Sequence, residues 1–148
     1  MKTQLMKAMM TSISEVMETM FFLPVAFGQT AALSQAGLDA PDTMACRLSF
    51  SGDISGHVIL AAPESLVLEM AENFMGEPQD RLTQEHLTGT LKEMLNMVCG
   101  NALRSTPAKT PFELGIPDIA DLSEIAPDSR FHLIETDGAT LGMLLHTD

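Results

Sequence analysis

The sequence contains no tryptophan and no tyrosine, and seven phenylalanines are its only large aromatic side chains. A hydrophobic core must therefore be built from aliphatic residues and from methionine, which occurs twelve times. Methionine is unbranched and polarizable, so it fills gaps in cores and also forms adaptable binding surfaces. The composition leaves both uses open.

Basic residues are also scarce. Eight lysines and arginines stand against 20 acidic residues, which gives a formal net charge of −12. Such a surface repels phosphate backbones and anionic lipid headgroups, so we expect no binding to nucleic acid or to a membrane surface. No apolar run approaches the roughly 20 residues that span a bilayer, and no signal-peptide core follows Lys2 and Lys7. These features favour a cytoplasmic protein.

The chain has two cysteines, Cys46 and Cys99. Neither forms a metal-ligand spacing with the other or with a histidine. One disulfide is possible, but two isolated cysteines without an export signal fit reduced thiols in the cytosol better. The scattered histidines are interpreted as surface or structural residues: His57, His86, His132 and His146.

A length of 148 residues suits one domain, and we predict a single domain over 1–148. Apolar periodicity and Pro/Gly breaks predict three helices, at 3–22, 63–75 and 83–103. Residues 25–42 are interpreted as a linker. Period-two patterns and turn residues predict five strands, at 45–50, 57–61, 112–116, 131–135 and 140–146.

An internal repeat links the two halves of the sequence. Residues 13–18 align without gaps on 91–96, and each helix is followed by a hairpin with two glycines four residues apart. The glycine pairs are Gly52 with Gly56, and Gly138 with Gly142. We therefore predict an α+β fold: an antiparallel sheet with long helices on one side, and two helix-plus-hairpin halves related by a pseudo-twofold axis.

The third predicted helix carries the clearest functional signal. Its apolar stripe consists of Leu87, Leu91, Met94, Leu95, Val98 and Ala102. Glu93 and Asn96 fall on the opposite face, one turn apart, with Gly89 and Gly100 above and below them. Glycine inside a helix costs about 1 kcal/mol relative to alanine. Its presence beside a polar pair is understandable if another protein approaches closely, so both glycines are predicted partner-binding residues.

Residues 93–102, with the sequence Glu-Met-Leu-Asn-Met-Val-Cys-Gly-Asn-Ala, resemble the Glu-x-x-Asn…Gly-Asn-Ala helix of the CheC, CheX and FliY chemotaxis phosphatases. Gly115-Ile116-Pro117 is similar to the proline-bearing segment that follows this helix in the family. The resemblance extends more faintly over residues 12–146. It implies a hydrolase of two-component signalling, which removes the aspartyl phosphate from a CheY-like response regulator.

The resemblance also implies roles for the two polar residues. Phosphoryl transfer depends mainly on positioning and on charge stabilisation. Asn96 would orient the attacking water, because an amide both donates and accepts without bringing charge. Glu93 would pair with the regulator's lysine. The divalent cation belongs to the regulator, so the chain needs no cofactor or metal of its own, and a homodimer is expected, as in CheX-type members.

Two departures from the family pattern matter. Glu18 stands where the first half would carry a second catalytic asparagine, so only the second half is expected to be active, as in the CheX-like branch. Gly89 stands where the family signature often has Asp or Ser. The alternative function is therefore a non-catalytic module of the same fold that docks to a response regulator or to a flagellar switch component.

Overall fold

The computed structural model describes residues 2–148, which form an antiparallel sheet with three helices packed on one face. The helices are α1 (Lys2–Met20), α2 (Glu64–Met75) and α3 (Gln84–Ser105). The strands are β1 (Ala26–Ala31), β2 (Thr43–Ser51), β3 (Gly56–Pro63), β4 (Glu113–Leu114), β5 (Asp118–Ile119), β6 (Phe131–Thr136) and β7 (Ala139–Thr147). This arrangement confirms the predicted α+β fold class.

The order of the strands reveals the internal symmetry. It runs β1-β6-β7-β3-β2-β4, and β5 also pairs with β2. The hairpins β2–β3 and β6–β7 meet at the central β3–β7 ladder, which extends from Gly56 opposite Thr147 to Ala61 opposite Gly142. The strand after α1 pairs with the second hairpin, whereas the short strands after α3 pair with the first. Each half thus completes the sheet of the other, as a pseudo-twofold requires.

The core lies between the sheet and the helices. Successive strand residues point to opposite faces, so alternate apolar residues of β2, β3 and β7 face the helices. Helices α1 and α3 pack against each other, and the buried Ser12 Oγ donates to the Val98 carbonyl oxygen at 2.8 Å. Together these contacts hold α3 rigidly along its buried side.

Helix α3 has a well-defined start. Thr83 is its N-cap and accepts from the His86 backbone N–H, while His86 Nδ1 accepts from the Thr83 backbone N–H at 3.1 Å. This reciprocal pair satisfies two backbone donors at the helix end. His86 is therefore structural, as the sequence indicated. Among the described residues no helix is long and apolar enough to cross a membrane.

The predicted linker is wrong in part, because residues 26–31 form strand β1. Its side chains are exposed or half-buried, so the segment lacks the apolar alternation that marks a strand. An edge strand needs mainly backbone hydrogen bonds, which β6 supplies. The strand predicted at 112–116 is real but shorter, since only Glu113 and Leu114 pair with β2. Strand β5 was not predicted.

Candidate docking and catalytic surface

Helix α3 presents Glu93 and Asn96 to solvent. Both side chains are exposed and lie one turn apart, directly opposite the buried stripe of the same helix. Neither side chain forms a hydrogen bond or a salt bridge with any residue from 2 to 148. Because the helix backbone is fixed by its buried face, the pair is presented at a fixed spacing and is available to another molecule.

Gly89 leaves the backbone bare beside this pair. It is exposed, and a Cβ atom placed there would meet nothing within 4 Å. The chain's own packing therefore does not require glycine at this position. The bare backbone lets the surface of another molecule approach α3 one turn before Glu93.

Gly100 departs from the expected open position. It lies on the outward side of α3, but it is buried, because Arg104 and Leu114 cover it. A Cβ atom there would lie 3.3 Å from Nη1 of Arg104. The chain after α3 folds back over the end of this face, which a helical projection does not reveal. The sequence predicted an exposed Gly100, and this exposure is wrong, because the residue is covered by the chain itself.

The segment after α3 forms a groove that the sequence did not predict. Its volume is about 510 Å³, and its walls include Arg104, Lys109 and Phe112. Asp53, in the β2–β3 turn, accepts from the Lys109 backbone N–H and from the Thr110 hydroxyl. These hydrogen bonds lower the pKa of the Asp53 carboxyl. The turn therefore holds the loop in place, a contact between distant residues that gives no local sequence signal.

The corresponding face of α1 is different. Glu15 and Glu18 are exposed, as Glu93 and Asn96 are. The position that matches Gly100 is Phe22, which is 67% exposed and adopts a φ of 58°. The position that matches Gly89 is Thr11. This face therefore carries two carboxylates and a large apolar side chain, with no bare backbone.

The remaining candidate residues have other surroundings. Cys46 and Cys99 are free and buried, and burial raises the pKa of each thiol to about 12. His57 and His146 stack at 4.9 Å on strands β3 and β7, away from Glu93 and Asn96. Residues 2–148 contain no group of three or more His, Cys, Asp or Glu side chains arranged to hold a metal ion.

Comparison with known structures identifies relatives over nearly the whole chain. A chemotactic CheC-like protein from Shewanella oneidensis is 21% identical with a TM-score of 0.76, and 100% of each chain is covered. The chemotaxis protein CheX from Vibrio vulnificus is 17% identical with a TM-score of 0.75, covering 97% of this chain and 96% of that one. At these identities the likeness concerns the fold.

A third similar structure is the CheX–CheY–BeF3–Mg2+ complex from Borrelia burgdorferi. It is 18% identical with a TM-score of 0.74, and 96% of each chain is covered. Among curated protein sequences none matches significantly. The model of the family described as chemotaxis phosphatase CheX matches residues 44–134, which is more than half of the chain and includes the whole of α3. The chain therefore belongs to the CheX family of chemotaxis phosphatases.

Proposed function

We propose that this chain hydrolyses the aspartyl phosphate of a CheY-like response regulator, with Asn96 and Glu93 reaching into the regulator's own site. The observation that carries the proposal is the exposed Glu93–Asn96 pair, free of bonds to the described chain, on a rigid helix beside the bare backbone of Gly89. Membership of the family and the existence of a CheX–CheY complex in Borrelia burgdorferi support it. A cytoplasmic location follows from such a substrate.

The chemistry requires little from this chain beyond geometry. Phosphoryl transfer proceeds with the attacking and leaving oxygens in line, and the regulator's divalent cation stabilises the developing charge. The Asn96 side chain accepts a hydrogen bond from water through Oδ1 and donates through Nδ2, so it fixes the orientation of the nucleophile. A carboxylate in place of the Asn96 amide would repel both the phosphoryl group and the lone pair of the attacking water.

Glu93 contributes to docking rather than to proton transfer. A carboxylate one turn before Asn96 pairs with the lysine of the regulator's site and fixes the register of the two proteins. Because α3 is packed against both α1 and the sheet, little conformational freedom remains to be lost when the complex forms. Preorganisation of this kind lowers a barrier by several kcal/mol.

The test is the decay of a phosphorylated regulator with wild-type protein, with Asn96→Ala and with Glu18→Ala. The two variants truncate exposed residues at matching positions of α3 and α1. We expect Asn96→Ala to reduce the acceleration of phosphate decay on the order of 10²-fold, which corresponds to a barrier higher by about 2.7 kcal/mol. Glu18→Ala should stay within about twofold of wild type, the range of a surface substitution away from the site.

A non-catalytic docking module is the second candidate function. The observation in its favour is Gly89, which stands where family members often carry Asp or Ser. This function predicts that the wild-type protein binds the regulator while its phosphate decays at the spontaneous rate. Such a result, or an Asn96→Ala variant as active as wild type, would remove the catalytic assignment.

A further inference from the structure

We propose that the groove after α3 docks the acidic surface of the regulator next to its phosphoaspartate, through the charges of Arg104 and Lys109. The inference rests on the proposed function and adds a second contact to it. The groove continues the Asn96 face directly, since Gly100 lies one turn after Asn96 and forms part of the groove wall. A partner seated on Asn96 therefore also reaches the groove.

The position of Arg104 is set by the backbone of α3. Its guanidinium lies back against Gly100 and donates to Asn101 Oδ1 at 2.5 Å. Helix side chains lean toward the N-terminus, so this charge points along the helix toward Asn96. A Cβ atom at position 100 would require the guanidinium to shift slightly away from the helix. Gly100 thus serves the partner surface indirectly, by accommodating a cation.

The groove is held open by contacts within the chain. Asp53 fixes the backbone of Lys109 and the hydroxyl of Thr110. The Phe112 ring packs edge-on against Phe50 with the ring centroids 6.1 Å apart. At Gly52 a Cβ atom would lie only 2.7 Å from the Phe112 ring, so a larger residue there would displace that ring. The loop therefore needs little reordering before a partner binds, which favours docking.

The charge of the groove after α3 indicates what kind of surface binds there. The chain carries a net charge of −12, yet among residues 2–148 the charged side chains that line the groove are Arg104 and Lys109. The carboxylate of Asp53 lies beside the groove and is engaged by the Lys109 backbone N–H and the Thr110 hydroxyl. Neither cation forms a salt bridge with any residue from 2 to 148. A phosphorylated receiver combines a phosphoryl group with the carboxylates that hold its cation, so its surface there is anionic. Complementary charges at the rim of an interface mainly accelerate association and make it sensitive to salt.

A structural role for Arg104 makes a different prediction. A cation in the last turn of a helix interacts favourably with the helix dipole. If that were its only role, its loss would lower the stability of the fold and leave the affinity for the regulator unchanged. Lys109 lies in the loop beyond α3, outside the helix dipole's last turn. A substitution of Lys109 therefore tests docking without changing the stability of the helix.

The experiment titrates the regulator, loaded with beryllofluoride and Mg2+ as a stable phosphoryl mimic, onto wild type, Lys109→Glu, Arg104→Gln and Lys7→Glu. Lys7→Glu changes the net charge as Lys109→Glu does, but it lies on exposed α1 surface. We expect Lys109→Glu and Arg104→Gln to raise Kd about tenfold at low ionic strength, an effect that shrinks above roughly 0.3 M salt. Lys7→Glu should change Kd less than about twofold. Thermal unfolding of each variant verifies the fold.

Dephosphorylation kinetics with the same variants separate this inference from the proposed function. Docking predicts a raised KM with kcat within about twofold of wild type. If the wild-type protein hydrolyses the phosphate and Lys109→Glu leaves Kd unchanged, the docking inference is overturned and the proposed phosphatase activity stands. Binding that depends on Lys109 without any hydrolysis would overturn the phosphatase and leave the docking site standing.

Discussion

Helices α1 and α3 occupy equivalent places in the two halves of the fold, and their inner faces are more alike than their outer faces. Positions 78 residues apart match on the buried side, where Met17 corresponds to Leu95 and both are fully buried. Both helices pack against the same sheet face and against each other. Burial of apolar surface, which depends on size and not on exact identity, accounts for this likeness.

The outer faces have diverged. Asn96 of α3 corresponds to Glu18 of α1, and Gly100 corresponds to Phe22. Both faces carry one matching carboxylate, Glu93 or Glu15. The α3 face adds a neutral amide, bare backbone and a nearby cation, whereas the α1 face adds a second carboxylate and an exposed aromatic ring. Solvent-facing residues add little to folding stability, so a duplicated scaffold can keep its fold while its two surfaces acquire different chemistry.

The largest expected effect tests the likeness of the inner faces. Met17→Ala and Leu95→Ala each remove a fully buried side chain from the shared core. We expect each variant to lower the free energy of unfolding by about 3 kcal/mol, from lost apolar burial and the cavity left behind. Chemical denaturation measures both. A loss from one helix more than about twice that from the other would break the comparison.

The next prediction tests the difference between the outer faces. Glu18→Asn creates a Glu-x-x-Asn motif on α1, and Asn96→Ala in the same protein removes the asparagine of the proposed site on α3. Phe22 remains, and the groove that follows α1 is lined by Glu135 and Asp137 without a lysine or arginine from residues 2–148. We therefore expect the double variant to stay about 10²-fold below wild type in regulator dephosphorylation. Recovery to within about tenfold of wild type would mean that the motif suffices without its surroundings.

A smaller effect concerns the buried thiols beneath α3. Cys46 Sγ donates to the Leu91 carbonyl oxygen, and the α1 position that matches Cys99 is Phe21. Burial raises the pKa of each thiol from 9.0 to about 12. Below pH 9 both thiols stay protonated in the folded and unfolded states, whereas between pH 9 and 12 only the unfolded chain releases the protons. The free energy of unfolding should therefore fall as pH rises through this window.

At pH 10 the expected loss is on the order of 1 kcal/mol for each thiol, relative to pH 8. Denaturation curves at the two pH values measure it. Cys99→Ala is the matched variant, because it removes one of the two groups and should reduce the pH-dependent loss by about half. An identical pH dependence in wild type and Cys99→Ala would contradict the assignment.

Most of the fold was predictable because its signals are local. The apolar period of α3, the breaks at Gly76 and at Asp137-Gly138, and the alternation in β2 and β3 are each readable within a few residues. Strand β1 escaped prediction because an exposed edge strand is stabilised by its partner's backbone. Strand β5 escaped for a related reason, since two residues cannot show a period.

The candidate site was predictable where it depends on local sequence and not where it depends on distant residues. Helical projection found Glu93, Asn96 and the bare backbone at Gly89, because all three depend on one helix. It failed at Gly100, whose cover comes from a segment that returns across the helix. The groove around Lys109 depends on Asp53, more than 50 residues away, so only the tertiary structure reveals it.

The most direct test of the account is to block one outer face at a time. The native thiols are buried with pKa values of about 12, so an introduced exposed cysteine is the only one expected to react with a bulky maleimide. Gly89→Cys and Thr11→Cys place that group at matching positions on α3 and α1. We predict that labelling abolishes regulator dephosphorylation by Gly89→Cys and leaves Thr11→Cys as active as before labelling. Full activity of labelled Gly89→Cys would contradict the assignment of the α3 face as the reactive surface.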